Sequence, residues 1–144
     1  MVDGHTLFQN TVKRFSDSGI LSFNHPLTVT HSDYRFFVSE QLKEISFSYG
    51  SILLEPLMRN TAPSVLAGCL HICDTAANSI VVISPSDHKI EDTVEFHRAL
   101  KLGLSSADSG RIVTFGKIPE RAETGYGYIP VSYTHLTLPT ILLV

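Results

Sequence analysis

Three short stretches of this chain carry side chains that could do chemistry together. The first reads Ile80-Val-Val-Ile-Ser-Pro-Ser-Asp-His88. Four consecutive β-branched residues before a Ser-Pro-Ser turn read as a short strand, Ile80 to Ile83, buried on both faces in a parallel sheet, which then presents Asp87 and His88. Ligands of open α/β sheets sit beyond the carboxyl ends of the strands. A carboxylate there can hold Mg²⁺ against a substrate's phosphates, because that ion prefers one or two carboxylates plus phosphate oxygens. Asp87 could equally cap a helix starting near Ile90 or Glu91, since Asp is common at helix starts.

The second stretch, Ile52-Leu-Leu-Glu-Pro-Leu-Met-Arg-Asn-Thr-Ala-Pro63, brings Glu55 to the end of another apolar run and sets Arg59, Asn60 and Thr61 just before a helix. Backbone N–H groups at a helix start, with a guanidinium beside them, suit a phosphate or a polar ring edge. The amide of Asn can pair with a purine or ribose through donor and acceptor together. The competing reading makes Asn60 or Thr61 a simple N-cap and Arg59 a solvated charge. The third stretch contains Glu123-Thr-Gly-Tyr-Gly-Tyr128, where glycines let a backbone approach a ligand and tyrosines offer flat faces and hydroxyls to a sugar. It also reads as an ordinary turn entering a strand, with Glu123 a surface charge.

The elements that must position these residues follow from periodicity. Phe8, Val12 and Phe15 recur at helical spacing from Thr6, with Lys13, Arg14 and Asp17 on the other side, and Gly19 ends that helix. Leu27 to Thr30 is β-type. A helix capped by Ser32 or Asp33 follows, with Tyr34, Phe37, Val38, Leu42 and Ile45 on one face. Ser51 to Leu54 is the next strand, and Val65, Leu66, Cys69, Ile72 and Cys73 mark the next helix. After the Ile80 strand come a helix with Val94, His97, Leu100 and Leu104 and a strand over Ile112 to Phe115. Strands alternating with helices imply right-handed βαβ crossovers and a mainly parallel, Rossmann-like α/β sheet covered by helices on both faces.

At 144 residues, 43% hydrophobic and with a net charge of −3, the chain can build one core and lacks the broad basic field that nucleic acid requires. A small-molecule partner is the expectation. No apolar run approaches the roughly 20 residues of a membrane span, and the start lacks a signal-peptide plan, so a cytoplasmic location is expected. The two cysteines, Cys69 and Cys73, lie four apart on one helix face and read as small core hydrophobes. The seven histidines show no paired zinc spacing, so His71, His88 and His97 read as structural. No Gly-x-Ser-x-Gly or P-loop pattern is present.

Taken together, Glu-Pro-x-x-Arg-Asn-Thr-Ala-Pro at 55–63, Pro-Ser-Asp-His at 85–88 and Thr-Phe-Gly-Lys-Ile-Pro-x-x-x-Glu-Thr-Gly-Tyr-Gly-Tyr-Ile at 114–129 resemble the mannose-1-phosphate guanylyltransferase family in order and spacing. The resemblance covers residues 3–129. It implies a nucleotide-sugar pyrophosphorylase using Mg²⁺ to make GDP-mannose and pyrophosphate from GTP and mannose 1-phosphate. It also implies Asp87 on the metal, Arg59, Asn60 and Thr61 on the guanosine side, and Gly125, Tyr126 and Glu123 on the mannose side, with Thr124 shaping that turn.

Two departures stand out: Met58 where the family commonly has glycine, and Ser86 beside Asp87 in place of a small apolar residue. The family's glycine-rich loop, with its arginine and lysine for the triphosphate, would precede Met1, so no catalytic residue is assigned. The chain opens on a helix rather than the strand and glycine-rich turn usual in this architecture. The family's later acidic and lysine-bearing motifs would lie beyond Pro130, so the chain reads as truncated at both ends and inactive alone, with a homo-oligomer open to the full-length protein. Residues 1–130 form the partial transferase domain. Residues 131–144 resemble the translation of a sequencing-library transposon adapter and read as a non-native tail, the competing reading being a genuine β-hairpin or interface strand. The alternatives are a pyrophosphorylase for another sugar or base, or a non-catalytic nucleotide-sugar-binding module.

Overall fold

The computed structural model describes residues 4–16, 18–116, 122 and 124. Helix α1 spans Leu7–Arg14 and starts from a reciprocal cap: Thr6 accepts from the Gln9 N–H while the Gln9 side chain accepts from the Thr6 N–H. Strand β1 (Thr28–His31) leads through a short 3₁₀ turn, Ser32–Tyr34, into α2 (Arg35–Glu44). His31, rather than Ser32 or Asp33, caps that turn. Strand β2 (Ile52–Glu55) follows, then α3 (Thr61–Ala76) and α4 (Thr93–Asp108).

β1 and β2 pair in parallel, Thr28 opposite Ile52 through His31 opposite Glu55. Parallel neighbours need a crossover, and α2 supplies it, giving one βαβ unit. The chain is thus of the α/β class.

The core has two lobes. Val12, Val38 and Leu42 are buried together, with Phe8, Ile45, Phe47, Tyr49 and Ile52 packed around them. The other lobe is aromatic. Phe15 meets Phe23 and Phe96 edge-on at centroid distances of 5.4 and 5.8 Å, a favoured geometry for ring quadrupoles. α1 joins the lobes, because Val12 faces one and Phe15 the other. Polar groups also tie α1 to α2: Gln9 donates to the Gln41 carbonyl at 3.0 Å and to Glu44 at 2.7 Å.

Several expectations give way here. Arg14, expected on the solvent side of α1, is only 3% exposed. Tyr34 and Phe37 of the expected inner face of α2 are exposed, as are Leu66 of α3 and Val94 of α4, while Phe96 turns inward instead. Cys73 is exposed and Cys69 half-buried, so only Cys69 fits the reading as a small hydrophobe in contact with the interior.

The largest change concerns Ile80–Ile83. It is not a strand among the described residues, and Ile80, Val81 and Ile83 are exposed. A β-branched run becomes a strand only by pairing its backbone. Among the described residues the one sheet is β1–β2, so none of them completes the ladder. Ile112–Phe115 is likewise not a strand among the described residues.

Candidate functional site

A cavity of ≈ 1070 Å³ separates β1 from the 80–87 segment. Its apolar part is lined by Phe8, Val12 and Phe15 of α1, by Leu27 and Val29, and by Ile80–Ile83. The unpaired edge of β1 and the unpaired 80–83 run therefore face the same space. Its polar lining comes from two other places: Glu55, Arg59, Asn60 and Thr61, after the carboxyl end of β2, and Ser84, Ser86 and Asp87, after the apolar run. Met58 lines it too, standing exposed beside Arg59.

The Arg59–Thr61 corner is built in an unusual way. Asn60 occupies the N-cap position of α3 yet makes no side-chain cap bond, and its backbone sits at φ 63° and ψ −171°. That region is essentially reserved for glycine and costs a residue with a Cβ on the order of 1–3 kcal/mol. Pro63 explains the missing cap bond in part. It stands three residues on, where a capping side chain normally finds an N–H, and proline has none. Asn60 thus keeps its amide free while the first N–H groups of α3 lack intrahelical partners. Beneath it, the Ser64 hydroxyl is within 2.6 Å of Glu55 and 3.2 Å of the Asn60 carbonyl, tying the corner to the end of β2.

Asp87 is exposed, and among the described residues no hydrogen bond or ion pair engages its carboxylate. The capping role is taken elsewhere. Asp92 caps α4, its side chain accepting from the Glu95 N–H at 2.8 Å. The helix starts at Thr93, after the Ile90–Glu91 position expected from sequence. Asp87 is left as an uncommitted anion at the cavity.

Among the described residues no cluster of three or more His, Cys, Asp and Glu side chains could enclose a metal ion. A lone free carboxylate facing a cavity still fits the way Mg²⁺ is held, by one or two carboxylates with phosphate and water oxygens. Among the described residues Glu55, bonded to Ser64, is the other carboxylate at this cavity.

Arg59, Asn60, Thr61 and Asp87 thus line one cavity, whereas Glu123, Gly125 and Tyr126, the residues expected on the sugar side, lie outside the described residues. The structure adds two residues that the sequence reading passed over. Thr11 and Arg14 of α1 reach the backbone on either side of Asp87. Their signal in the sequence is faint, since a threonine and an arginine on a short helix look like its solvent face.

An α/β unit with a polar corner after a parallel strand and a free carboxylate across a cleft has the form of a nucleotide-handling domain. The comparisons make the class specific: residues 1–138 match the family model "Nucleotidyl transferase", and the chain belongs to that family. It is 42% identical over 127 residues to the alginate biosynthesis protein AlgA of Pseudomonas aeruginosa, covering 88% of this chain and 26% of that protein. Mannose-1-phosphate guanylyltransferase 2 of Escherichia coli O157:H7 is also 42% identical over 127 residues, covering 87% of this chain and 26% of that protein. The xanthan biosynthesis protein XanB of Xanthomonas campestris is 36% identical over 129 residues, 90% of this chain and 27% of that protein. The chain therefore spans about a quarter of the length of these relatives. No solved structure matches it significantly.

Proposed function

We propose that this chain is part of a mannose-1-phosphate guanylyltransferase, which joins GTP and mannose 1-phosphate into GDP-mannose and pyrophosphate. Membership of the nucleotidyl transferase family and the guanylyltransferase among its relatives support the reading. The single observation that carries it is that Asp87 and the Arg59-Asn60-Thr61 corner line one cavity, their side chains uncommitted among the described residues. In the reaction, a phosphate oxygen of the sugar phosphate attacks the α-phosphorus of GTP. The bond from that phosphorus to the β-phosphate bridging oxygen breaks, and pyrophosphate leaves with the electron pair. The protein's contribution is positioning and charge neutralisation.

In this reading Asn60 and Thr61 hold the guanosine, Arg59 lies beside the phosphates, and Glu123, Gly125 and Tyr126 border the mannose. Asp87 holds Mg²⁺, which when bound neutralises charge on the phosphate oxygens. Residues 1–130 are the transferase portion and 131–144 a foreign tail, the working place is the cytoplasm, and neither nucleic acid nor membrane is a partner. No helix among the described residues is long and apolar enough to cross a membrane.

The test is a hybrid in which residues 5–129 replace the corresponding segment of the E. coli relative. It should release pyrophosphate from GTP and mannose 1-phosphate, and Asp87→Asn should lower kcat by at least about 100-fold, in line with loss of a charge-stabilising group. The 144-residue chain alone should release none. A hybrid that binds GDP-mannose but turns nothing over would support the binding-module reading instead, and preference for another nucleoside triphosphate would reassign the base.

A further inference from the structure

The turn that carries Asp87 is held from behind by α1. The Arg14 Nη2 donates to the His88 carbonyl at 2.9 Å, and the Thr11 hydroxyl lies 3.4 Å from the Ser86 carbonyl, at the long end of hydrogen bonding. Thr11 and Arg14 are three residues apart, neighbours on one helical face. They therefore reach the carbonyls that flank Asp87 on both sides and leave its carboxylate at the cavity. Arg14 is itself fixed by α4. Its guanidinium carbon lies 5.5 Å from the centre of the Phe96 ring. Its own carbonyl accepts from His97 Nε2 at 2.7 Å, and since a carbonyl can only accept, Nε2 is the protonated nitrogen of that buried ring.

Stability is a poor explanation for this arginine. It is 3% exposed, its Nη1 is buried with no hydrogen-bond partner, and no ion pair among the described residues includes it. Burial pushes its pKa below the ordinary guanidinium value. A buried charge whose hydrogen-bonded partner is a neutral carbonyl is often no better for stability than an apolar side chain of the same size. What the guanidinium supplies is a fixed donor at the end of a long reach.

We propose that Arg14 is a positioning residue: it holds the Ser86–His88 turn so that the Asp87 carboxylate meets a nucleotide-bound divalent cation at one fixed place. This rests on the metal role proposed for Asp87. The sensitive variant is Arg14→Met, which keeps an unbranched stem against Phe96 and removes the charge and its donors.

Its melting temperature should stay level or rise. The ¹⁵N order parameters of Asp87 and His88 should fall from about 0.85 to below about 0.6, with that of Leu42 unchanged. In the hybrid that sets residues 5–129 into the E. coli relative, affinity for Mn²⁺ in the presence of GTP, read by electron paramagnetic resonance, should drop at least about tenfold, the usual consequence of losing a group that orients a metal ligand. Arg14→Lys, which keeps the charge and loses the fork, should move the same way.

Unchanged order in the turn with unchanged Mn²⁺ affinity would overturn the proposal. So would a fall in melting temperature with order lost throughout, which is the mark of a merely structural role. If the hybrid that sets residues 5–129 into the E. coli relative takes up no Mn²⁺ with GTP, the guanylyltransferase reading fails, and the order parameters still decide whether Arg14 holds the turn.

Discussion

The starts of α3 and α4 make opposite use of the same problem. Every helix begins with N–H groups that lack intrahelical partners. At α4 the Asp92 side chain bonds the Glu95 N–H at 2.8 Å and the helix is closed off. At α3 the corresponding residue, Asn60, holds a glycine-like backbone conformation and gives its side chain to no cap bond. The contrast extends along both helices. Gly103 of α4 is packed so closely that an added Cβ would come within 2.9 Å of the Phe115 ring and 3.2 Å of Val113, whereas a Cβ at Gly68 of α3 would meet Leu27 and Val29 at an ordinary 3.6 Å. α4 is a finished structural element that locks α1 in place. α3 keeps slack and an unsatisfied start beside the cavity, the distribution expected when strain is kept where a ligand binds.

That comparison can be broken by substitution. The largest effect is expected at Asn60→Gly, which removes the conformational strain and the free amide together. Thermal unfolding should show a gain of about 1 kcal/mol, while titration with GTP should show affinity lowered about tenfold. A loss of stability with affinity unchanged would make Asn60 an ordinary cap. Gly103→Ala should follow, destabilising by about 1 kcal/mol in denaturant unfolding, because overpacking against Phe115 and Val113 outweighs the better helix propensity of alanine. It should leave GTP affinity alone. Asp92→Ala should cost somewhat less, on the order of 0.5–1 kcal/mol in the same measurement, through loss of the α4 cap. A change in ligand binding in either α4 variant would erase the distinction between the two helices.

The βαβ unit was legible because its signals are local. Leu27–Thr30 is a β-type run after Pro26 and Ser51–Leu54 carries Ile-Leu-Leu between Gly50 and Pro56, and the spacing of Val38, Leu42 and Ile45 is helical without help from the rest of the chain. Ile80–Ile83 has the strongest strand composition of all and is no strand here, because pairing is a property of two segments and composition describes one. The corner at 59–61 was legible as a helix start, but its strain was not; Pro63 was the available clue, since it denies Asn60 the usual capping partner. Arg14 was misread because its burial depends on Phe96 and His88, more than 70 positions away. No periodicity within α1 carries that information. Glu123, Gly125 and Tyr126 fall outside the described residues, so the sugar side rests on resemblance alone.

The central claim is that Asp87 and the Arg59-Asn60-Thr61 corner serve one ligand. Mn²⁺ added with GTP to the ¹⁵N-labelled hybrid carrying residues 5–129 tests it directly, because the bound ion broadens only amide signals near it. Signals of Asp87 and His88 and those of Arg59 to Ala62 should fade together, only when GTP is present, and not in Asp87→Asn. Broadening confined to one of the two places, or unchanged in Asp87→Asn, would contradict the account.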